Sequence, residues 1–210
     1  MSEDAASLQA ALHAAQHGDV AAFNTLVLLY QRQVYNVCYR TLGNVEDAAD
    51  ATQDAFLAAF RGLKTFNGPA AGLKPWLLRV SVNTCYDHLR RRQRRPSESL
   101  EALTTSDHHD VNASADLPDP ALGPDHLALG AETARTIQAA LDQLPPDQRV
   151  TVVLCDVHGL SYDEVALATD VELGTVKSRL SRARARLRDL LAAAGELPAS
   201  SQRLKGGPRP

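Results

Sequence analysis

The sequence is poor in the features that define several classes of protein. Its 210 residues include three cysteines, Cys38, Cys85 and Cys155, which are odd in number and far apart. Disulfide scaffolds and cysteine-rich zinc folds are therefore excluded. No run approaches the ~18 apolar residues of a membrane span, and the N-terminus lacks the cationic start and apolar core of a signal peptide. We therefore expect a soluble cytoplasmic protein.

Basic side chains are absent from one long stretch of the chain. Residues 96–134 contain no Lys or Arg and 8 acidic residues, whereas residues 1–95 have 11 basic against 8 acidic and residues 135–210 have 11 against 9. The net charge of −3 therefore hides a basic, acidic, basic order. An overall acidic balance does not argue against nucleic acid as a partner.

Apolar residues on both sides of the acidic stretch recur at steps of three and four, which is typical of amphipathic helices. The pattern predicts helices over Val20 to Cys38, over Val45 to Leu63 and from Pro75 onward, where Leu78, Val82, Cys85 and Leu89 form a core stripe. Beyond the stretch, Ile137, Ala140, Leu141 and Leu144 predict a further helix.

Residues 96–131 contain four prolines, seven carboxylates and no sustained periodicity. Such a segment cannot bury enough apolar area to offset its ordering entropy, so we interpret it as an extended linker. The expected fold is all-α, with two small helical domains joined by a long acidic flexible linker. The expected bounds are residues 1–95 and 132–193 for the domains, 96–131 for the linker and 194–210 for a flexible tail.

Residues 160–190 have the pattern of a helix-turn-helix. Ser161 and Glu164 form a capping box before a short apolar helix, and a tight turn leads to a long helix with an apolar stripe and many cations. This pattern indicates a recognition helix for the major groove. Four side chains on its polar face are expected nearest the DNA: Lys177, Ser178, Ser181 and Arg182. Arg184, Arg186 and Arg188 are expected to meet phosphates. The alternative is a solvated basic face on a structural helix.

A second basic cluster ends the helix that begins near Pro75. Five arginines lie between positions 90 and 95, and Trp76, Arg79 and Asn83 recur at helical spacing upstream. A flat ring, a cation and an amide together suit stacking on, and hydrogen bonding to, unpaired bases. The alternatives are a solvated helix end and a core position for Trp76.

Three carboxylates lie on one face of the helix over Val45 to Leu63. Asp47, Asp50 and Asp54 follow at i, i+3 and i+7, with Gln53 between them. No histidine accompanies them at the spacing of a di-metal bundle. This face is therefore either solvated or a docking surface for a basic partner, and the residues alone leave that choice open.

Two groups of segments in the sequence form a familiar pattern. The first group comprises residues 50–61, Phe66 and residues 75–91, and the second comprises residues 144–149, 159–166 and 174–184. The first group resembles conserved region 2, and the second resembles region 4, of bacterial sigma factors of the sigma-70 family, extracytoplasmic-function (ECF) subgroup. The loop between Phe66 and Trp76 is one residue longer than the usual pattern and has Leu73 where an aromatic is common, so we assign no base contact to the residues between these two aromatics.

The resemblance implies a dissociable promoter-specificity subunit of RNA polymerase, without catalytic residues or cofactors. Its implied partners are the clamp coiled coil of the largest polymerase subunit, single-stranded minus-ten DNA and duplex minus-thirty-five DNA. An anti-sigma factor is a further partner that the resemblance allows, and membrane insertion is not expected.

The resemblance also assigns residues to these partners. Polymerase docking is implied for Asp50, Gln53, Asp54 and Phe56. Contact with minus-ten DNA is implied for Trp76, Arg79, Asn83, Arg90 and Arg91. Contact with minus-thirty-five DNA is implied for Thr175, Lys177, Ser178, Arg179, Ser181, Arg182 and Arg184.

Two other classes of protein compete with this interpretation. A helix-turn-helix regulator would use residues 1–95 as an effector or dimerisation domain and would need neither the acidic face nor the Trp76 helix. An enzyme such as a nuclease would need a metal site or a nucleophile with its base. His108 and His109 lie in the expected linker, and Cys155 with His158 lacks a second ligand pair.

Overall fold

The computed structural model describes residues 2–94 and 124–195, and within these ranges it contains helices and no strand. The α-helices are α1 (Ser2–Gln16), α2 (Val20–Leu42), α3 (Val45–Gly62), α4 (Leu73–Arg94), α5 (Pro124–Asp142), α6 (Pro146–Val152), α7 (Tyr162–Thr169) and α8 (Leu173–Ala193). Two 3-10 turns, Leu63–Thr65 and Ala70–Gly72, precede α4, and a π-helical turn, Val153–Val157, follows α6. The predicted all-α class is confirmed. Residues 95–123, which include most of the predicted linker, and residues 196–210 of the predicted tail lie outside the described residues.

Local chemistry sets the helix boundaries of the N-terminal domain, α1 to α4. The Asp19 carboxylate accepts hydrogen bonds from the backbone N–H groups of Ala21 and Ala22 at the start of α2. Gly43 ends α2 in the left-handed region (φ 76°), and the Asn44 side chain then caps α3. α4 begins at Leu73, two residues before the predicted start, because the preceding 3-10 turn runs directly into it.

Small side chains let α3 approach its neighbours closely. Ala48, Ala51, Ala55 and Ala59 are each at most 2% exposed, and α3 packs on α2 and α4 through this face. The predicted stripe of α4 also enters the core, with Leu78, Val82 and Cys85 buried. The carboxylates of α3 are consequently turned away from the core. α1 packs on α2 and contributes buried Leu12 and Ala15.

The C-terminal domain, α5 to α8, contains the predicted helix-turn-helix in α7 and α8. The capping box is confirmed, since the Ser161 side chain accepts from the Glu164 N–H and the Glu164 carboxylate accepts from the Ser161 N–H. Asp170 ends α7 in the left-handed region (φ 54°), which aspartate tolerates better than most residues. Val176, Leu180 and Ala183 bury the apolar stripe of α8.

Two details of this domain differ from the prediction. α5 begins at Pro124, inside the segment 96–131 that we assigned to the linker. Residues 127–131 are Leu, Ala and Gly, mostly strong helix formers that follow a proline suited to the first turn, and the proline and carboxylate content of the whole segment obscured them. Ile137, predicted on the apolar face, is 36% exposed, whereas Gln138 is buried at 5%.

The two domains pack against each other, which the sequence did not predict. α4 contacts α7, and α2 contacts α5 and α6. Arg40 donates to the Gln138 side chain (3.2 Å), which explains the burial of Gln138, and Lys74 donates to the carbonyl oxygen of His158 (2.9 Å). Burial, with a smaller contribution from Lys74, lowers the pKa of His158 to about 4, so this imidazole is neutral at neutral pH.

Arg149 links the end of α2 to α5 and α6 of the C-terminal domain. Its guanidinium donates to the carbonyl oxygen of Thr41 in α2 (2.7 Å) and to that of Asp142 (2.6 Å), and it pairs with the Asp142 carboxylate (3.1 Å). The Asp142 carboxylate in turn lies against Gly43, where a Cβ would come within 2.6 Å of it. The planar fork of arginine suits this set of acceptors better than the point charge of lysine.

We expect Arg149→Ala to loosen the packing between the domains. Hydrogen bonds to a charged group contribute about 1.5–3 kcal/mol, so the free energy of unfolding should fall by about 2 kcal/mol. Small-angle scattering should show a larger radius of gyration for Arg149→Ala than for wild type. Arg149→Lys should give a value between those of wild type and Arg149→Ala. An unchanged scattering profile together with an unchanged melting temperature would show that Arg149 does not hold the domains together.

Candidate protein-docking and nucleic-acid surfaces

The acidic surface of α3 combines charge with an apolar groove. Asp50, Gln53 and Asp54 are exposed, and Phe56 is half-buried. Beside them is a groove of about 420 Å³ between α2 and α3, lined by Val27, Gln31, Thr52, Gln53, Phe56 and Leu57. We call these side chains together with Asp50 and Asp54 the α3 surface. An apolar hollow with a charged border is typical of a protein-docking site.

Sequence reasoning missed the contribution of α2 to this surface. Val27 and Gln31 of α2 line the groove, whereas the predicted docking residues all lie on α3. Next to Val27, Leu28 and Leu29 are 70% and 55% exposed, and Leu57 of α3 is 53% exposed. The signal in the sequence was the pair of leucines outside the apolar stripe of α2. Neighbouring large apolar side chains that are exposed to solvent are typical of interaction surfaces.

Two acids of α3 are bridged to the basic end of α4. The Asp54 carboxylate contacts His88 Nε2 at 3.1 Å, and Asp47 pairs with Arg92 at 3.7 Å. Asp54 nevertheless remains 49% exposed, and Asp50 lies one turn away on the same face. Such half-exposed pairs contribute little stability, so these carboxylates remain available to a partner.

The structure places the predicted minus-ten residues along one exposed side of α4. Arg79, Asn83, Arg90 and Arg91 are exposed, and Asp87 between them pairs with Arg90 at 3.1 Å. We call the exposed residues 79, 83, 87, 90 and 91 the α4 stripe. It presents cations and an amide to solvent beside the domain junction.

Trp76 has both of the properties that the sequence left as alternatives. Its ring packs on Phe66 with 5.3 Å between ring centroids, and its edge lies where a Cβ on Gly62 would come within 3.4 Å. The side chain is nevertheless half-buried rather than buried, so part of it faces solvent at the head of the α4 stripe. Trp76 is thus fixed by packing and partly open to a ligand.

The seven predicted minus-thirty-five residues fall into two groups. Lys177, Ser181, Arg182 and Arg184 are exposed, and Thr175, Ser178 and Arg179 are half-buried. The Ser178 hydroxyl donates to the Thr175 carbonyl oxygen at 2.9 Å, a bond within the helix. Lys177, Ser181 and Arg182 therefore form the part of α8 best placed to reach a groove.

Two arginines of α8 make ion pairs inside the C-terminal domain. Arg179 pairs with Asp147 at 2.6 Å, and Asp147 also accepts from the Tyr86 hydroxyl of α4 at 3.2 Å. Arg184 makes a bidentate contact with Asp156 (2.9 and 2.6 Å). Hydrogen bonding to Asp156 raises the pKa of Arg184. In this structure both guanidinium groups hold α8 on its own domain.

A basic hollow runs along α8 and includes a residue that the sequence did not single out. The hollow has a volume of about 270 Å³ and is lined by Tyr162, Lys177, Leu180, Ser181, Arg184 and Arg188. Tyr162 is the first residue of α7 and is 38% exposed. Its hydroxyl adds a neutral donor to a set of cations, a combination suited to phosphate oxygens.

The described residues offer no metal site. In the ranges 2–94 and 124–195, no three His, Cys, Asp or Glu side chains come close enough together to hold a metal ion. The three cysteines are free thiols, and Cys38 and Cys85 are buried. Burial, with a smaller contribution from Asp156, raises the pKa of Cys155 to about 11, so its thiol is not activated as a nucleophile. No described helix is long and apolar enough to cross a bilayer.

The fold and these surfaces define a helical protein with a helix-turn-helix domain and a second helical domain whose α3 carries an exposed acidic face beside an apolar groove. The family model of sigma-70 region 2 matches residues 26–95, and that of sigma-70 region 4 matches residues 134–187. The chain is 36% identical over 169 residues to the RNA polymerase sigma-H factor of Pseudomonas aeruginosa, covering 80% of this chain and 86% of that protein. It belongs to the ECF subgroup of sigma-70 family sigma factors, as the resemblance implied.

Further comparisons agree with this assignment. The chain is 39% identical over 178 residues to the ECF RNA polymerase sigma factor SigE of Mycolicibacterium smegmatis, covering 83% of this chain and 65% of that protein. Among solved structures, it is similar to the sigma factor RpoE of Bartonella quintana bound to the anti-sigma factor NepR, with a TM-score of 0.60 and 28% identity over 82% of this chain and 98% of that one. The family comprises non-catalytic specificity subunits of RNA polymerase, so the enzyme interpretation is set aside.

Proposed function

We propose that this protein binds core RNA polymerase in the cytoplasm, directs it to promoters, and takes part in melting the minus-ten element. The observation that supports this most strongly is the presence of two exposed basic surfaces of different chemistry in one chain. The α4 stripe, headed by Trp76, offers a ring, an amide and cations for unpaired bases. The helix α8 offers Lys177, Ser181 and Arg182 for the major groove of a duplex.

Polymerase docking is assigned to the α3 surface. Asp50, Gln53 and Asp54 supply charge and hydrogen-bonding groups, and the groove beside Phe56 supplies apolar area. A basic helical partner such as the clamp coiled coil fits both features. An anti-sigma factor is proposed as a second protein partner, because the solved sigma factor RpoE, which this fold resembles, is in complex with the anti-sigma factor NepR.

Promoter binding requires the two domains to separate. The minus-ten and minus-thirty-five elements lie about two helical turns apart, roughly 70 Å along the duplex. The 29 residues between Arg94 and Pro124 can span at most about 100 Å, so chain length permits that separation. The polar links of Arg40, Lys74, Tyr86 and Arg149 between the domains must then break.

Assembly with core polymerase tests the proposal against a regulator that works alone. The full chain should co-elute with core enzyme in a one-to-one ratio, and promoter-specific binding should need the core. Specific binding of the isolated chain to duplex promoter DNA, with no association with core, would instead support the helix-turn-helix regulator.

We expect Arg182 and Arg188 to differ in the kind of DNA contact that they make. Both are exposed on α8, but Arg182 lies nearer its N-terminal half. Arg182→Ala should relax preference at one or two positions of the upstream element, since a bidentate base contact is worth about 1–3 kcal/mol of discrimination. Arg188→Ala should weaken all sequences alike and lower the salt slope by about one.

The measurement is binding of holoenzyme to a promoter library randomised in the upstream element, at two salt concentrations. Arg188→Ala and Arg182→Ala serve as controls for each other, because each removes one exposed cation from the same helix. An equal loss for all sequences with Arg182→Ala would mean that Arg182 contacts phosphate and that α8 lies differently in the groove.

A further inference from the structure

The N-terminal helix α1 lies outside the residues that match the region 2 family model, which begins at residue 26. It nevertheless packs on both 3-10 turns of the segment that precedes α4. Leu12 and Ala15 anchor it in the core. We call residues 63–72 the α4 lead-in loop. The surfaces described above do not include the contacts between α1 and this loop.

Two glutamine side chains of α1 hold the lead-in loop at three backbone groups. Gln16 Nε2 donates to the carbonyl oxygen of Phe66 at 2.6 Å and to that of Leu63 at 3.4 Å. Gln9 Oε1 accepts from the backbone N–H of Ala70 at 3.0 Å. One amide thus acts as a donor and the other as an acceptor, and the partners fix both orientations.

The loop transmits this restraint to Trp76. The Phe66 ring packs on the Trp76 ring, and it also lies over Gly68, where a Cβ would come within 2.7 Å of the ring. The position of the Phe66 backbone therefore determines where the Phe66 ring lies, and the ring supports one side of Trp76. Its other edge lies near Gly62, at the end of α3.

We propose that Gln9 and Gln16 are positioning residues for promoter melting, acting through the lead-in loop on Phe66 and Trp76. This inference rests on the proposed role of Trp76 at the minus-ten element. Neither glutamine touches DNA in this assignment. They keep the ring and the head of the α4 stripe in the orientation that unpaired bases require, so the ordering is complete before DNA arrives.

One amide donates to the loop and the other accepts from it, so the same substitution, glutamine to glutamate, should affect the two positions differently. Gln16→Glu replaces a donor with a carboxylate facing two carbonyl oxygens, so it should slow open-complex formation about 10-fold or more. Gln9→Glu keeps an acceptor for the Ala70 N–H and should stay within about 2-fold of wild type, whereas Gln9→Ala loses it and should slow the step about 3-fold. Gln143→Glu is the matched control, because Gln143 directly follows α5 and its side-chain amide donates locally, to the carbonyl oxygen of Ala139 four residues earlier.

The assay follows open-complex formation by holoenzyme on a promoter with a fluorescent base in the minus-ten element, alongside affinity for core enzyme. A pre-melted promoter should restore Gln16→Glu, and its affinity for core should not change. Equal rates for Gln16→Glu and wild type would overturn the proposal. So would a defect in Gln16→Glu that is accompanied by lost core binding, since that indicates a merely structural role. If Asn83→Ala and Trp76→Phe also melt DNA normally, the proposed function of α4 fails as well; if they are defective while Gln16→Glu is not, only this inference fails.

Discussion

Asp54→Lys is expected to abolish binding to core RNA polymerase while both domains remain folded. Asp54 is 49% exposed on the α3 surface, one turn from Asp50 and beside the apolar groove, so a lysine there would meet the basic partner as a like charge. Such juxtaposition costs several kcal/mol, which corresponds to a loss of affinity of at least about 100-fold. The structure predicts little cost to folding, because the half-exposed contact with His88 is the described interaction that this change removes.

Two variants separate the charge at Asp54 from other effects. Asp54→Asn keeps a group that can hydrogen-bond to His88 and removes only the charge, so it should weaken core binding far less than Asp54→Lys. Glu132→Lys reverses an exposed charge on α5, in the other domain, and should leave core binding unchanged. Affinity is measured by titrating core enzyme with labelled protein, and helicity is followed by circular dichroism. Unchanged affinity of Asp54→Lys would refute the docking assignment.

Asn83→Ala and Trp76→Ala are expected to spare the closed complex and to impair the open complex. Stacking on an unpaired base is worth about 1–3 kcal/mol, so the equilibrium between closed and open complexes should shift by roughly 5- to 150-fold for Trp76→Ala. Asn83 is exposed on the α4 stripe, so its truncation leaves the core intact. Pre-melted templates should partly restore both variants, because the cost of strand separation has then already been met.

The packing of Trp76 requires a further variant to keep this prediction testable. Trp76→Ala also removes the contact with Phe66 and with the edge near Gly62, which lowers stability for a reason unrelated to DNA. Trp76→Phe retains an aromatic contact with Phe66, but its smaller ring leaves less surface open to solvent for stacking on a base. Both complexes are measured by footprinting and by permanganate reactivity of unpaired thymines. Loss of the closed complex in Asn83→Ala would count against a role confined to melting.

Helix positions and caps followed from the sequence because they depend on neighbours three or four residues away. The stripe of Leu78, Val82 and Cys85 is buried as predicted, and so is that of Val176, Leu180 and Ala183. The capping box of Ser161 and Glu164 also forms as predicted, since its two hydrogen bonds join residues three apart. The sequence did not predict the start of α5 at Pro124, because the overall composition of residues 96–131 hides a short run of helix formers near their end.

The candidate surfaces were only partly predictable. The acidic face of α3 is visible in the spacing of Asp47, Asp50 and Asp54, but the groove beside it also needs Val27 and Gln31 from α2. Arg179 and Arg184 look alike in the sequence as cations of a recognition helix, yet each is paired with a carboxylate from another element, Asp147 or Asp156. Pairs separated by 28 or more residues leave no periodic signal.

The sequence by itself therefore determined the all-α class, the helix faces, the helix-turn-helix and, through its resemblance, the family, because each depends on local periodicity or on contiguous motifs. The tertiary structure alone decided how the two domains pack, why Gln138 is buried and Ile137 is exposed, and how α1 restrains the loop before Trp76. These features depend on contacts such as those of Arg149 with Thr41 and Gln16 with Phe66, whose partners are 50 to 108 residues apart. The physical reason is that a helix brings together residues three or four positions apart, whereas residues far apart in the sequence come into contact only when the whole chain folds.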